Sequence, residues 1–198
     1  MKITYFGHSY FLVEGKEYSI CLDPFSNVGF KEVEVNCDYV FSSHSHFDHN
    51  NIVLAKGAKL VTNGYPFEII KTYHDEKLGA LRGENSVLIF NLDGFRIAFL
   101  GDLGEFDNKG LVDKLNGVDL LLIPVGGKYT IDAVGAYNYA VKSKAKCVIP
   151  MHYKTGASTI DIDSAEPFLN KFKNYQTANS PMEFNGQTGV IKLIFEEN

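Results

Sequence analysis

The chain has 198 residues, of which 45% are hydrophobic and 22% charged, and its formal net charge is −5 at pH 7. This balance is typical of a folded globular protein with a substantial core. It argues against nucleic-acid binding, because phosphate contacts depend on clustered lysine and arginine, and no basic cluster is present. No apolar run reaches the roughly 18 residues that a membrane span needs, and the first residues lack a signal-peptide pattern, so we expect no membrane span.

The three cysteines, Cys21, Cys37 and Cys147, are far apart along the chain and form no CxxC pair. Cys21 and Cys147 lie in apolar segments typical of strands. We therefore interpret the cysteines as small buried hydrophobic residues rather than as metal ligands. Unpaired thiols are the rule in reducing compartments, which predicts a cytoplasmic protein.

Short β-strands dominate the first half of the chain. Those before residue 75 are predicted over 2–6, 10–14, 18–22, 38–43, 59–62 and 67–71. A short helix is predicted over 49–55. Two further strands, 86–92 and 95–102, flank Asp93-Gly94, a dipeptide typical of β-hairpins.

Helices alternate with strands in the second half. The helices are predicted near 107–116, over 132–144 and around 163–173, and the strands over 118–125, 145–152 and 189–196. No internal repeat, linker or low-complexity segment interrupts the pattern. We therefore predict one domain over residues 1–198, built from two packed sheets with helices outside them.

The segment SSHSHFDHN, residues 42–50, holds half of the six histidines in the chain. His44 and His46 are two residues apart at a strand end, where extended backbone points both rings to one side. Asp48 and His49 follow at a bend and can face the same cavity. Imidazole and carboxylate are ligands that zinc and similar metals prefer. Four ligands exceed what one tetrahedral ion with an open position needs, so the segment predicts two metal ions.

The hexapeptide HSHFDH resembles the HxHxDH signature of the metallo-β-lactamase fold superfamily. The other motifs of that family occur here in the family's order, and they supply Asp23 in CLDPF, His74 in TYHDE, Asp102 in FLGDLG and His152 in IPMHYKT. The resemblance runs from residue 1 to about residue 155. It implies an α/β fold, a four-layer αββα sandwich with the metals at one edge between the sheets.

The resemblance also implies how the metals are held. The first ion is expected to bind His44, His46 and His74. The second is expected to bind Asp48, His49 and His152. Asp102 is expected to bridge the two ions, and Asp23 to orient a ligand from behind it. The cofactors implied are two divalent cations, Zn²⁺ first, with Mn²⁺ or Fe²⁺ as alternatives.

A hydrolytic function follows from this resemblance. Two ions that share a water lower its pKa and supply hydroxide near neutral pH. The expected enzyme is a dinuclear metal-dependent hydrolase that uses a metal-bridged hydroxide on a small-molecule ester, lactone, amide or phosphodiester, with Asp48 and Asp102 taking part in the chemistry. The alternative is a metal-binding sensor or partner-binding module with little catalytic activity. The complete ligand set favours the hydrolase. No pattern in the sequence indicates an oligomeric state.

Within the superfamily, the segments FGHSY, HDEKLGALRGEN and VIPMHYKT resemble a short branch related to ascorbate-6-phosphate lactonase and N-acylphosphatidylethanolamine phospholipase D. His8 in the first segment either faces the site, as a candidate substrate contact, or is a buried hydrogen-bonded histidine. Further candidate substrate contacts follow two predicted strands: Lys128, Tyr129, Tyr153 and Lys154. Each either binds an anionic group or stabilises a developing oxyanion, or simply faces solvent in a loop.

Overall fold

The computed structural model describes residues 1–197. The strands are β1 (Lys2–Tyr5), β2 (Phe11–Glu14), β3 (Ser19–Leu22), β4 (Val35–Asn36), β5 (Tyr39–Phe41), β6 (Ala55–Lys56), β7 (Lys59–Leu60), β8 (Phe67–Tyr73), β9 (Glu84–Leu92), β10 (Phe95–Phe99), β11 (Leu120–Pro124), β12 (Cys147–Met151), β13 (Gln176–Asn179), β14 (Met182–Glu183) and β15 (Gly189–Ile194). The helices are α1 (Lys109–Leu115), α2 (Ala133–Lys142) and α3 (Glu166–Leu169), with a 3₁₀ turn over Ile52–Leu54.

Two large sheets organise the molecule. The first has the strand order β14-β1-β2-β3-β5-β7, and the second has the order β13-β15-β12-β11-β10-β9-β8. The strands β10, β11 and β12 pair in parallel. Parallel neighbours need a crossover connection, and α1 and α2 provide the two crossovers between them. The carboxyl ends of these strands therefore meet at one edge of the sheet.

The inner faces of the two sheets share one hydrophobic core. Phe11 of the first sheet and Phe99 of the second are fully buried, and their ring centroids lie 6.5 Å apart. Phe41 of the first sheet packs edge-on against Phe99 at 6.2 Å. Large aromatic rings bury much apolar area, and edge-to-face pairs add to that gain. This packing fixes the position of one sheet relative to the other.

The outer layers of the sandwich differ from each other. Residues of α1, α2 and α3 join the core cluster that covers the second sheet. The outward residues Leu12, Cys21 and Val40 of the first sheet pack instead against Phe25 and Leu54, from the segment after β3 and the 3₁₀ turn. The predicted α/β sandwich is confirmed. Within residues 1–197, the cluster over the first sheet contains no residue of the three helices.

Two predicted helices were wrong in length. The helix predicted over 49–55 is only the 3₁₀ turn, because Ala55–Lys56 pairs with Val35–Asn36 and removes the last turn from helical geometry. The helix predicted over 163–173 shrinks to Glu166–Leu169, because the following amides of Lys171 and Phe172 bond three residues back rather than four. Within residues 1–197, no helix has both the length and the apolar character to cross a membrane.

Four short strands were not predicted. They are β4, β6, β13 and β14, and they are two to four residues long. Strands β4, β6 and β14 are only two residues long, and the four residues of β13 show no apolar alternation. A periodicity of two is therefore not detectable in any of them. Tertiary pairing alone makes them strands.

Candidate metal centre

Strand ends deliver the predicted ligands to one edge of the sandwich. Asp23 follows β3, His74 follows β8 and His152 follows β12 without a gap, and Asp102 comes three residues after β10. The HSHFDH segment begins three residues after β5. Strand β3 runs parallel to β5, and β10 and β12 both run parallel to β11 between them. The carboxyl ends of these strands therefore meet. Residues distant in sequence therefore share one cavity.

The backbone at this edge is strained where it carries these side chains. His8, Asp23 and His152 have φ values of 52°, 43° and 51°, in a region that non-glycine residues rarely occupy. Such strain is concentrated at functional sites, where the surrounding structure holds it in place. The amide of His152 donates to the carbonyl of His8 at 2.7 Å, which ties two of these positions together.

A first group of donors consists of His44, His46 and His74. Their candidate ligand atoms all lie within 4.8 Å of one another. His44 Nε2 and His46 Nδ1 are 3.0 Å apart, and Ser43 Oγ lies 2.9 Å from His44 Nδ1. The serine thus fixes the ring of His44 from its other nitrogen. The three predicted ligands of the first ion are together.

A second group consists of His8, Asp48, His49 and His152, whose candidate ligand atoms also lie within 4.8 Å of one another. His8 Nε2 is 3.3 Å from Asp48 Oδ2 and 3.2 Å from His49 Nε2. The ring of His8 packs against that of His152 with centroids 4.2 Å apart. His8 is therefore both buried and directed at the site, where the sequence left these as alternatives. The sequence does not predict that His8 lies beside the ligands of the second ion, although the FGHSY motif indicates it as a candidate site residue.

Asp102 lies between the two groups. Its Oδ2 is 3.1 Å from His74 Nε2, 3.2 Å from His49 Nε2 and 3.3 Å from His152 Nε2. Its Oδ1 is buried and has no hydrogen-bond partner within residues 1–197. This carboxylate therefore contacts histidines of both donor groups.

Asp23 supports the site from behind. Its side chain is fully buried, and its Oδ2 lies 2.6 Å from His49 Nδ1. The amide and hydroxyl of Ser43 also donate to this carboxylate, each at 2.6 Å. A carboxylate bonded to one ring nitrogen directs the other nitrogen of the imidazole forward. Asp23 thereby orients His49 directly and His44 through Ser43.

The electrostatics of His8, His44 and Asp102 suit cations. Burial and His152 lower the pKa of His8 to about 3, and burial and His49 lower the pKa of His44 to about 2. Burial opposes ionisation of Asp102, but His152 and His49 hold its pKa well below the usual range. Neutral imidazoles and an ionised carboxylate are the forms that bind metals. Ring nitrogens about 3 Å apart, aimed at one another, fit divalent cations lying among them.

Comparison with known proteins agrees with this geometry. Residues 2–152 match the family described as the beta-lactamase superfamily domain. The chain belongs to the metallo-β-lactamase superfamily. It is 31% identical to a UPF0173 metal-dependent hydrolase of Nanoarchaeum equitans, across 87% of this chain and 91% of that relative. It is 29% identical to a similarly named protein of Methanospirillum hungatei, across 78% and 84% of the two chains.

A solved structure from Thermotoga maritima, a candidate Zn-dependent hydrolase of the same superfamily, superposes with a TM-score of 0.80. It is 30% identical and covers 98% of this chain and 99% of its own. The predicted family and fold are therefore confirmed, and the protein is a metal-dependent hydrolase of the metallo-β-lactamase superfamily. The relationship to ascorbate-6-phosphate lactonase and N-acylphosphatidylethanolamine phospholipase D stays a prediction.

A cavity of about 700 Å³ opens onto the donors of this superfamily member. His46, Asp48, His74 and Asp102 form its polar floor. The remaining walls come largely from Phe47, Leu81, Arg82, Tyr129 and Ile160. The sequence predicted only Tyr129 among these wall residues. Arg82 lay in HDEKLGALRGEN, but nothing in that segment indicated which side chains face the cavity.

The other candidate substrate contacts lie elsewhere. Lys128 forms an ion pair with Asp161 at 2.5 Å. Tyr153 is buried and packs against Tyr5 in the core, with ring centroids 6.4 Å apart. Lys154 directs its ammonium to the carbonyl oxygens of residues 158 and 160. None of the three lines the 700 Å³ cavity, because each side chain is engaged in holding a neighbouring loop or the core.

Proposed function

We propose that this chain is a dinuclear hydrolase acting on a small-molecule ester, lactone or phosphodiester. The observation that carries the proposal is the position of Asp102 Oδ2, within 3.3 Å of histidine nitrogens from both donor groups. A single shared carboxylate between two sets of ligands is what a pair of neighbouring cations requires. When bound, such cations act as Lewis acids and lower the pKa of water, which supplies a nucleophile near neutral pH.

The ligands of each cation are assigned from the two donor groups. His44, His46 and His74 hold one cation. Asp48, His49 and His152 hold the other, with His8 adjoining them. The donors are nitrogen and oxygen atoms without a thiolate, a set that suits Zn²⁺ and is also compatible with Mn²⁺ or Fe²⁺. Zn²⁺ is the cation we propose.

Residues of the chain prepare the reaction in distinct ways. Asp48 lies on the cavity floor with 15% of its side chain exposed, so its carboxylate would be able to accept a hydrogen bond from water and orient it. His8 Nε2, 3.3 Å away, fixes this carboxylate from the buried side. Asp102 carries a negative charge between the donor groups and lowers the repulsion between two cations.

The cavity supports a small substrate. Its volume of about 700 Å³ falls within the range of roughly 300–1,000 Å³ typical of small-molecule sites.

A single domain and a cytoplasmic location remain part of the proposal. One core cluster that joins both sheets supports the first, and three free, buried cysteines support the second.

Metal content and hydrolysis test the proposal together. The purified protein, stripped with a chelator and reloaded with excess Zn²⁺, is expected to retain about two equivalents after desalting, as measured by elemental analysis. The loaded protein is then assayed against lactones, carboxylic esters and phosphodiesters. A plateau at one equivalent contradicts the dinuclear site. Two tightly bound ions without turnover on any panel member favour the metal-binding module instead.

A further inference from the structure

We propose that Arg82 binds an anionic group of the substrate while the neighbouring cavity wall holds an apolar portion, so that the substrate is an amphipathic anion. This inference rests on the proposed function, because it concerns the same cavity. Arg82 lines that cavity beside His46 and His74, and its guanidinium lies 5.6 Å from the centroid of the Tyr129 ring.

The charge of Arg82 is available for a ligand. Its guanidinium forms no ion pair with any carboxylate of residues 1–197. The other charged side chains that line the cavity already have partners. Asp48 belongs to the second donor group, Asp102 lies 3.2 Å from His49 Nε2, and Asp161 pairs with Lys128. Arg82 is therefore the uncompensated charge of the wall, and a planar guanidinium suits the paired oxygens of a carboxylate or phosphate.

The segment that carries Arg82 is held in place before any ligand binds. The carboxylate of Asp75, next to His74, accepts hydrogen bonds from the amides of Lys77, Gly79, Leu81 and Arg82 at 2.7–3.1 Å. Only 3% of Asp75 is exposed. A buried carboxylate that gathers four amides fixes a compact loop, which we call the 75–83 loop. Arg82 and Leu81 are thus positioned relative to the donors at little further entropic cost on binding.

The wall beside Arg82 is apolar and open. Phe47 is 58% exposed, Leu81 61% and Tyr129 41%, and all three line the cavity with Ile160. Exposed large apolar side chains gathered at one concave site mark a binding surface rather than ordinary surface scatter. A ligand that covers them gains apolar burial, while its anionic group meets Arg82.

Matched hydroxamates test this inference on the metal-loaded protein. A hydroxamate binds the cations of the site, and a series of alkyl hydroxamates ending in a carboxylate is compared with the same series ending in a methyl group. Affinities are measured by calorimetry, which does not depend on turnover. We expect the best carboxylate probe to bind the wild type about tenfold or more tightly than its methyl partner.

Variants of Arg82 and Arg96 distinguish a specific contact made by Arg82 from a general effect of positive charge. Arg82→Gln is expected to remove the preference for the carboxylate, and Arg82→Lys to restore part of it. Arg96 is the other arginine in the chain, and it lies on β10 with its guanidinium on the carbonyl of Lys114. Arg96→Gln removes the same charge and is expected to leave the preference intact.

Each outcome bears on the inference. An Arg82→Gln variant that keeps the full carboxylate preference contradicts the inference. If methyl-ended hydroxamates still bind that variant, the metal centre is intact and only the role of Arg82 is wrong. Equal affinity of the wild type for both series also overturns it. If neither series binds a protein that holds two equivalents of metal, the cations have no position open to a ligand, so the proposed hydrolytic function fails and this inference fails with it.

Discussion

Asp102 shows how a single carboxylate organises the site. It follows Gly101, whose close approach to Ser43 leaves no room for a side chain, since a Cβ there would lie 2.4 Å from the Cβ of Ser43. The amide of Asp102 donates to Asn85 Oδ1 at 2.9 Å, which fixes the backbone. The carboxylate is therefore presented to His49, His74 and His152 in one orientation.

Replacing Asp102 by asparagine keeps the shape and removes the charge. We expect Asp102→Asn to lower the affinity for the second metal equivalent, or the rate of hydrolysis, by about tenfold to a hundredfold, because the amide is a poor ligand between two cations. Metal titration measures the first quantity and steady-state kinetics the second. Asp113→Asn, at an exposed position on α1, serves as the control. Full activity with two tightly held ions would reduce Asp102 to a turn residue.

His74 tests whether the fold brings a distant residue to the HSHFDH segment. His74→Ala is expected to lower metal content to about one equivalent and to abolish hydrolysis, because one of three donors of the first group is lost. Circular dichroism checks that the fold persists. Unchanged metal content and turnover would mean that another side chain fills this position.

At the scale of the elements, the 75–83 loop and the segment after β10 are packed backbone to backbone. A Cβ at Gly104 would lie 2.3 Å from the amide nitrogen of Asp75 and 2.3 Å from the carbonyl carbon of His74. The amide of Gly104 donates to the carbonyl of Tyr73 at 2.9 Å. Only glycine permits this approach, which sets the distance between His74 and Asp102.

Gly104→Ala is therefore expected to destabilise the protein by roughly 1–3 kcal/mol and to weaken metal binding, since neither backbone segment can move aside cheaply. Gly110 in α1 is the matched control, because its nearest neighbour to an added Cβ is 3.5 Å away. Gly110→Ala is expected to stabilise the helix by up to about 1 kcal/mol. Denaturant titration distinguishes the two. Equal stabilities for both variants would contradict the close-packing argument.

At the scale of the whole molecule, the sheet-to-sheet core determines where the strand ends meet. Phe99 joins Phe11 and Phe41 across that core. We expect Phe99→Ala to reduce the free energy of unfolding by about 3–5 kcal/mol, as large-to-small changes in fully buried aromatic residues do. Phe47→Ala, at an exposed position, is the control and is expected to change stability little. A small loss for Phe99→Ala would show that the core repacks.

Metal binding and folding are linked across the same structure. The candidate donors come from segments that only the folded chain brings together, so we expect cations to bind the native state and stabilise it. We expect chelation to lower the midpoint of thermal unfolding, and the shift to shrink in Asp102→Asn. Scanning calorimetry with and without chelator measures both. An unchanged midpoint would contradict the proposed metal centre.

The sequence by itself determined the chemistry and much of the architecture. HSHFDH, with Asp23, His74, Asp102 and His152 at predicted strand ends, identified the family and predicted a hydrolytic metal site, because ligand type and motif order are properties of the chain. Most long strands were also predictable, since they are apolar runs or apolar–polar alternations of the kind that buried and half-buried strands show. The tertiary structure decided what depends on packing between distant segments. It placed His8 beside Asp48 and buried Tyr153 in the core. It also turned Arg82 toward the cavity, because the 75–83 loop takes its shape from four amides gathered on one carboxylate.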